Sequence, residues 1–216
     1  YTHMVKFDEN CNAVTTQPFG VATQTVLAGN AEEFRSSSRP FYNDTDICFA
    51  GEFYFSNQYR NHIGCYDRAT LNPTIDLSFP NGSLMRSVAI DDNSNLYITG
   101  LNADPNDTIN INNTITSGSA SYTAPTERRG IVRYDPINDA VDWVYHDDNA
   151  NYFDVQANNG QLIVVGRCQD VNSTGVCESS LPGFPTNFDI ATDPTYRGFV
   201  AELNPTDGSV IWAKQS

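Results

Sequence analysis

Short stretches in which apolar and polar residues alternate recur along the chain, and each ends at a turn rich in Asn, Asp or Gly. Examples are residues 4–8, 63–67, 132–136 and 201–205. Alternation with a period of two, combined with β-branched and aromatic residues, is typical of half-buried strands. Helical periodicity is not sustained, and residues 21–35 suggest one turn of helix at most. The pattern therefore predicts an all-β protein.

These stretches form an internal repeat. We call the Asp or Asn that closes each one its anchor, and the anchors are Asp8, Asp67, Asp135 and Asn204, spaced 59, 68 and 69 residues apart. A tryptophan lies eight residues after each of the last two anchors, at Trp143 and Trp212. Thr16 and Ile75 hold the matching positions in the earlier copies.

A second repeated unit, an apolar run closed by Gly, completes sets of four predicted strands. It ends at Gly51, Gly100 and Gly166. The predicted strands are residues 37–43, 46–54, 61–67 and 73–79, then 86–91, 95–101, 130–136 and 140–146, then 153–158, 161–168, 198–205 and 209–215, preceded by 3–8 and 12–18. Four antiparallel strands every 50–70 residues or so are typical of a β-propeller blade. We predict one propeller domain, with a half blade and connector at 1–36 and blades at 37–80, 81–147 and 148–216.

Two segments resemble a known family. Residues 87–100 (SVAIDDNSNLYITG) and 199–214 (FVAELNPTDGSVIWAK) resemble the two halves of the SBBP and NHL-like repeats of secreted bacterial β-propellers. The second segment is also similar to the tryptophan-docking motif of quinoprotein-type propellers, with the first Ala and the Asp of that motif replaced by Glu202 and Asn204. The resemblance implies a propeller architecture and says little about activity. The repeated position of the two tryptophans indicates packing between blades.

About three and a half blades are predicted, and about four is the minimum for a closed propeller. An open array would leave an apolar blade face and a strand edge in water. We therefore expect the chain to be part of a larger propeller, completed by further blades or by a protein partner, with self-association as one way to close it. The two N-terminal strands would be the outer half of a blade whose inner half lies elsewhere.

Charge restricts the partners. The chain has 26 Asp and Glu against 12 Lys and Arg, a formal net charge of −14. An acidic surface repels phosphate, so nucleic acid and anionic membranes are excluded as expected partners. No run of about 18 apolar residues is present, and insertion into a membrane is not predicted.

The five cysteines allow at most two disulfides. Cys168 and Cys177 flank a polar stretch, and we predict a bridge that closes this loop. Cys48 and Cys65 would lie directly opposite each other if a hairpin is centred between residues 56 and 57, so a cross-strand bridge is a second candidate. Cys11 would then be the remaining thiol.

Glycosylation would fit a secreted protein. Candidate sequons begin at Asn43, Asn81, Asn106, Asn112 and Asn172, although a chain so rich in Asn, Ser and Thr forms several by chance. Together with the cysteines and the acidic surface, they favour an extracellular or cell-surface location.

Two connections of nearly thirty residues, 102–129 and 169–197, are candidates for a binding surface. The alternative is a packed decoration that covers neighbouring blades.

Asp91, Asn93 and Asn95 have the spacing that begins an oxygen-ligand calcium loop, but a strand-connecting turn is favoured because the Gly and distal Glu of an EF-hand are missing. No other cofactor is predicted.

No catalytic motif stands out. His3, His62 and His146 are far apart, and HExxH, GxSxG and GxxxxGK[ST] do not occur. We expect a non-enzymatic extracellular module that forms a structural, adhesive or protein-interaction part of a cell-surface protein, appendage or filament. The alternatives are a fragment of a larger catalytic or cofactor-binding propeller, hydrolase or quinoprotein-like, and a carbohydrate-binding propeller.

Overall fold

The computed structural model describes residues 3–18, 33–36, 40–55, 58–79, 85–100, 108–123, 130–146, 150–168, 179, 181–185 and 197–215. All regular structure in these ranges is β-strand, which confirms the predicted class. The strands are β1 (His3–Phe7), β2 (Ala13–Pro18), β3 (Glu33–Ser36), β4 (Phe41–Tyr42), β5 (Asp46–Phe55), β6 (Gln58–Asp67), β7 (Pro73–Phe79), β8 (Ser87–Ile90), β9 (Leu96–Thr99), β10 (Thr108–Asn113), β11 (Gly118–Thr123), β12 (Ile131–Asp135), β13 (Ala140–Tyr145), β14 (Ala150–Asn158), β15 (Gln161–Cys168), β16 (Arg197–Leu203) and β17 (Val210–Gln215). Within the described ranges there is no helix long and apolar enough to cross a membrane.

The strands form four antiparallel sheets. β1 and β2 make an N-terminal hairpin of their own. The first sheet has the order β11-β10-β7-β6-β5-β3, with β4 also paired to β5. The second sheet has the order β13-β12-β9-β8, and the third has β14-β15-β16-β17. The second and third sheets reproduce the predicted sets of four strands.

Two elements differ from the sequence-based expectation. Residues Glu33–Ser36, which overlap the end of the segment that suggested a helical turn, form β3 and pair with β5, and residues 21–32 of that segment lie outside the described residues. The connection 102–129 contains the hairpin β10–β11, and β10 pairs with β7 at the edge of the first sheet. Its apolar residues Ile109 and Ile111 alternate with polar ones and are fully buried, because the hairpin turns one face toward the core.

The second sheet lies between the other two and is covered on both faces. Val88 and Ile90 belong to the core shared with the first sheet, whereas Ala89 between them belongs to the core shared with the third. Successive side chains of a strand point to opposite faces, so an apolar residue at every position is what a sheet buried on both sides requires.

Each anchor of the repeat begins a tight turn. The Asp67 Oδ1 atom accepts hydrogen bonds from the backbone N–H groups of residues 69 and 70, at 3.1 and 2.7 Å. Asp135 accepts the two equivalent bonds, and Asn204 accepts the first of them, from residue 206. The fourth residue after these three anchors has a positive φ, and it is Leu71, Asp139 and Gly208 respectively. The repeated Asp or Asn is thus explained by turn formation, in which these side chains bond to backbone ahead of them.

The predicted bridge between Cys48 and Cys65 is present. The two residues are direct partners in the β5–β6 pairing, and their Cα atoms are 4.0 Å apart. Cys168 is also disulfide-bonded. Its predicted partner, Cys177, lies outside the described residues, and Cys11 is an exposed free thiol.

Candidate functional site

A cavity of about 740 Å³ lies where the three sheets meet. It is lined by β4, β8 and β14, the strands at or near the start of each sheet in sequence order, and by the turns next to them. Its polar lining includes Asn43, Arg86, Ser87 and Asp154. The cavity is therefore formed by residues that are distant in sequence.

Two hydrogen bonds join neighbouring sheets at the wall of this cavity. The Ser87 hydroxyl in the second sheet donates to Asp154 Oδ1 in the third at 2.5 Å. The Asn43 Nδ2 group donates to the backbone carbonyl of Asp91 at 3.0 Å, which joins the first sheet to the second. These two hydrogen bonds favour this relative position of the sheets, because Ser87 and Asn43 are buried and their donors would otherwise be left unsatisfied.

The calcium candidate has the geometry of a capped turn. The Asp91 Oδ1 atom accepts bonds from the backbone N–H groups of Asn93 and Asn95, both at 2.9 Å. The Asn95 amide and the Tyr97 hydroxyl donate to Oδ2, both at 2.9 Å. Asp8 accepts the same two backbone bonds from residues 10 and 12. The recurrence of this arrangement at two turns points to a role in folding of the chain.

A buried histidine–aspartate pair lies between β6 and β7. His62 Nε2 is hydrogen-bonded to Asp76 Oδ1, and both side chains are buried. The Thr114 hydroxyl, in the turn of the β10–β11 hairpin, donates to Asp76 Oδ2 at 2.6 Å. Burial raises the pKa of Asp76, but the hydrogen bond and charge of His62 and the Thr114 hydroxyl outweigh it, so the pKa lies below its usual range.

Trp143 packs between the second and third sheets. Its indole Nε1 donates to the backbone carbonyl of Pro205 at 3.1 Å, and its ring centroid lies 5.6 Å from that of Tyr145. The Tyr145 hydroxyl donates to the carbonyl of Asp207 at 2.8 Å. A Cβ atom built on Gly208 would lie 2.5 Å from Tyr145 Cε2 and 3.2 Å from Trp143 Cδ2, so this turn approaches the second sheet closely.

Trp212 has a different environment. It is 37% exposed on the face of the third sheet that is turned away from the second. Its Nε1 is hydrogen-bonded to Glu202, and the Lys214 ammonium lies 5.8 Å from the centre of its ring. The two repeat tryptophans therefore differ in burial although they share a sequence position.

The described parts of both long connections are packed against sheets. In the connection 102–129, this is the β10–β11 hairpin. In the connection 169–197, Leu181 and Phe184 are buried in the core between the second and third sheets, and the ring centroids of Phe184 and Phe199 are 5.3 Å apart. This observation favours the packed decoration over an open binding loop for these residues.

The sequons lie in different surroundings. Asn43 is buried, and its amide group both donates to Asp91 and accepts from the N–H groups of residues 45 and 46. A glycan is attached to Nδ2, which here is buried and donates to the Asp91 carbonyl, so this fold disfavours glycosylation of Asn43. Asn112 is half-buried on β10. Asn81, Asn106 and Asn172 lie outside the described residues.

The structure brings together two pairs of residues that the sequence pattern did not predict, Ser87 with Asp154 and His62 with Asp76. The His62–Asp76 pair could have been predicted from the register of two neighbouring strands. In the β6–β7 pairing Gly64 lies opposite Asp76 and His62 opposite Ser78, which places His62 and Asp76 on one face of the sheet. The Ser87–Asp154 pair joins two different sheets, so no pattern within one hairpin indicates it.

His146 is buried, with its ring 5.7 Å from that of Tyr122.

No family model matches the chain, and no curated protein matches it. The solved structures that resemble it include an acylaminoacyl peptidase in complex with Z-Gly-Gly-Phe-chloromethyl ketone (11% identity, TM-score 0.42, 86% of this chain and 26% of that one). They also include the uncomplexed Pyrococcus horikoshii acylaminoacyl peptidase (11% identity, TM-score 0.41, 86% of this chain and 25% of that one). The chain spans about a quarter of the length of these structures, and similarity at this level carries no inference about activity.

Proposed function

We propose that the three stacked sheets are consecutive blades of a β-propeller, and that the chain is a non-enzymatic extracellular module for structure or protein interaction. The observation that carries the proposal is the cavity bordered by β4, β8 and β14 together with the two apolar cores between successive sheets. Blades arranged around an axis turn one strand of each sheet toward that axis and bury the faces between them.

The hydrogen bonds and pKa values of the acidic residues in the turns support a non-catalytic scaffold. Hydrogen bonds from the side chain and backbone of Asn12 lower the pKa of Asp8, and bonds from Ser209 lower that of Asp207. Burial raises the pKa of Asp135, but bonds from Asn138 and Ile137 bring it below its usual range. Acid–base catalysis near neutral pH works best with a group whose pKa is close to that pH. These carboxylates are instead held ionised, and they serve to close turns.

An extracellular location fits the Cys48–Cys65 disulfide and the bonded Cys168, because disulfides persist in oxidising compartments. An antibody raised against the chain should label intact, unpermeabilised cells of the source organism or their culture medium. Labelling only after permeabilisation would contradict this part of the proposal.

The blade arrangement itself is tested by small-angle X-ray scattering of the dilute chain. We expect the curve of three stacked sheets, with a maximum dimension that does not change when the Cys48–Cys65 bridge is reduced. Scattering from an elongated string of separate sheets would contradict the proposal.

The His62–Asp76 pair favours a second candidate, a section of a larger hydrolytic propeller, because an aspartate that orients a histidine is the arrangement of many general bases. Hydrolysis of p-nitrophenyl acetate that disappears in His62→Gln, and is kept in the matched variant His146→Gln, would support this candidate. Equal background rates for both variants would favour the scaffold.

A further inference from the structure

We propose that the cavity between the three sheets binds a neutral carbohydrate, a short oligosaccharide, with Arg86 as its main hydrogen-bond donor. The cavity has a volume of about 740 Å³, and sites for small molecules usually have about 300–1,000 Å³. This inference rests on the stacking of the sheets proposed above, and it goes beyond the scaffold role because it assigns a ligand to the cavity.

The first argument is that polar side chains along the cavity are not used by the fold. Among the described residues, six side chains that border the cavity form no hydrogen bond or ion pair with the rest of the described chain: Asp44, Arg86, Asp92, Gln156, Asn158 and Asn159. Asp154 accepts hydrogen bonds at Oδ1, and its Oδ2 atom has no donor among the described residues. The side chains of Asp67 and Asp91, by contrast, bond to their own turns. The cavity therefore offers both donors and acceptors to a ligand.

The second argument concerns Arg86, which borders the same cavity as Asp44, Asp92 and Asp154 and forms a salt bridge with none of them. The start of its side chain is held in place. A Cβ atom built on Gly100 would lie 2.4 Å from Arg86 Cγ, so the arginine stem lies directly on the glycine backbone. A guanidinium has five N–H donors and no acceptor. These donors border the cavity without a described protein acceptor, and a ligand in the cavity can accept from them.

The third argument is that the mixture of charges favours a neutral ligand with hydroxyl groups. Asp44, Asp92 and Asp154 outnumber Arg86, so the excess negative charge disfavours an anionic ligand. A cation would use the carboxylates but would leave the N–H donors of the guanidinium without an acceptor. A hydroxyl group both donates and accepts, so it can bond to a carboxylate, a guanidinium or an amide. In the described ranges, no group of three or more His, Cys, Asp or Glu side chains could hold a metal ion.

The fourth argument is that two aromatic rings on different sheets border the cavity. Tyr42 of β4 is 66% exposed, and Phe153 of β14 is half-buried. The Arg68 guanidinium lies 5.6 Å from the ring centre of Tyr42, and the Arg167 guanidinium lies 5.3 Å from that of Phe153. These cation–π contacts stabilise the positions of the rings. A sugar has an apolar face of C–H groups beside its hydroxyls, and an aromatic ring gives that face a flat apolar surface.

The inference is tested by isothermal titration calorimetry of the whole chain with four neutral trisaccharides, namely maltotriose, cellotriose, mannotriose and tri-N-acetylchitotriose. We expect at least one of them to bind with a millimolar or lower Kd. Arg86→Gln keeps the Cβ and Cγ atoms that lie on Gly100 and removes the guanidinium, so it should raise this Kd about tenfold or more. Gln156→Ala should raise it several-fold, because an amide at the cavity is lost.

The matched control is Gln161→Ala, the same substitution at a glutamine that does not border the cavity and that bonds to Glu202 at 3.4 Å. This control should leave the Kd unchanged. The inference is wrong if none of the four trisaccharides binds at millimolar concentration. It is also wrong if the Kd is the same in Arg86→Gln and Gln156→Ala as in the parent, with folding of both variants confirmed by circular dichroism. Binding of trilysine or trigalacturonic acid alone would replace the neutral sugar by a basic peptide or an acidic glycan.

Failure of this inference is distinguishable from failure of the proposed function. If small-angle scattering shows separate sheets, the cavity does not exist, and both the blade arrangement and the carbohydrate site are wrong. If scattering shows the stacked sheets and no neutral trisaccharide binds, the blade arrangement is retained and the carbohydrate site alone is wrong.

Discussion

At the scale of single residues, the recurring Asp and Asn positions are explained by turns. Asp135 and Asn204 have equivalent places, and the amide oxygen of Asn204 accepts a backbone N–H just as the carboxylate of Asp135 does. A turn of this type therefore needs an oxygen acceptor and does not need a negative charge. The negative charge of Asp135 makes the stability of the chain depend on pH.

This distinction gives a prediction for Asp135→Asn. The pKa of Asp135 in the folded chain is lowered, so its ionised form contributes stability above the unfolded pKa of about 4, and that contribution is lost as the pH falls through the folded value. The variant lacks this contribution, so it should be somewhat less stable than the parent at pH 7, and it should lose less stability on acidification. Urea midpoints measured from pH 7 to 2.5 check this, and an equally steep acid limb in the variant would contradict it.

At the scale of elements, the β10–β11 hairpin shows how a polar segment becomes part of a sheet. Ile111 is fully buried in the core between the first and second sheets, whereas Ile115 in the turn of the same hairpin is 42% exposed. The two residues are chemically identical and are four positions apart, so they form a matched pair for mutation.

Ile111→Ala should destabilise the chain by about 2–5 kcal/mol, because it removes buried apolar volume and leaves a cavity. Ile115→Ala should change the free energy of unfolding by less than about 0.5 kcal/mol, since its side chain is in contact with water. Urea denaturation followed by circular dichroism measures both. Equal effects would mean that the hairpin is not docked on the core.

The Cys48–Cys65 bridge joins β5 to β6 across a sequence separation of 17 residues. The double variant Cys48→Ala/Cys65→Ala should lower the free energy of unfolding by about 3 kcal/mol, because the bridge restricts the unfolded chain. Cys11→Ser is the matched control, and it should have little effect because Cys11 is exposed and unbridged. Urea midpoints of the two variants give the comparison, and a small loss in the double variant would argue against the bridge.

At the scale of the whole molecule, stability depends on how closely the sheets approach. Gly208 and Gly160 both have a positive φ, of 71° and 75°. A Cβ on Gly208 would collide with Tyr145 of the second sheet, whereas a Cβ on Gly160 would meet nothing within 4 Å. The backbone strain of an alanine is similar at both sites, and only Gly208 tests the contact between sheets.

Gly160→Ala should cost about 1–2 kcal/mol, the strain of a non-glycine residue in the left-handed region. Gly208→Ala should cost clearly more, because the second and third sheets must move apart, and it should also expose Trp143. Denaturation and tryptophan emission measure the two consequences. Equal costs with unchanged emission would show that the sheets are not in contact at this turn.

Much of this architecture could be read from local patterns. Strands of the second and third sheets, the turns at Asp67, Asp135 and Asn204, and the opposition of Cys48 and Cys65 all follow from alternation and turn residues. These features depend on neighbouring residues or on one hairpin, and a period of two with an Asp or Asn at its end is a local signal.

The packing between sheets could not be read in this way. The pairing of the β10–β11 hairpin with β7, the hydrogen bond between Ser87 and Asp154, and the different exposure of Trp143 and Trp212 all depend on which sheet lies next to which. Two tryptophans at the same place in a repeat are indistinguishable by sequence. Their burial differs because the third sheet covers Trp143, and a side chain's exposure is decided by the element that packs against it.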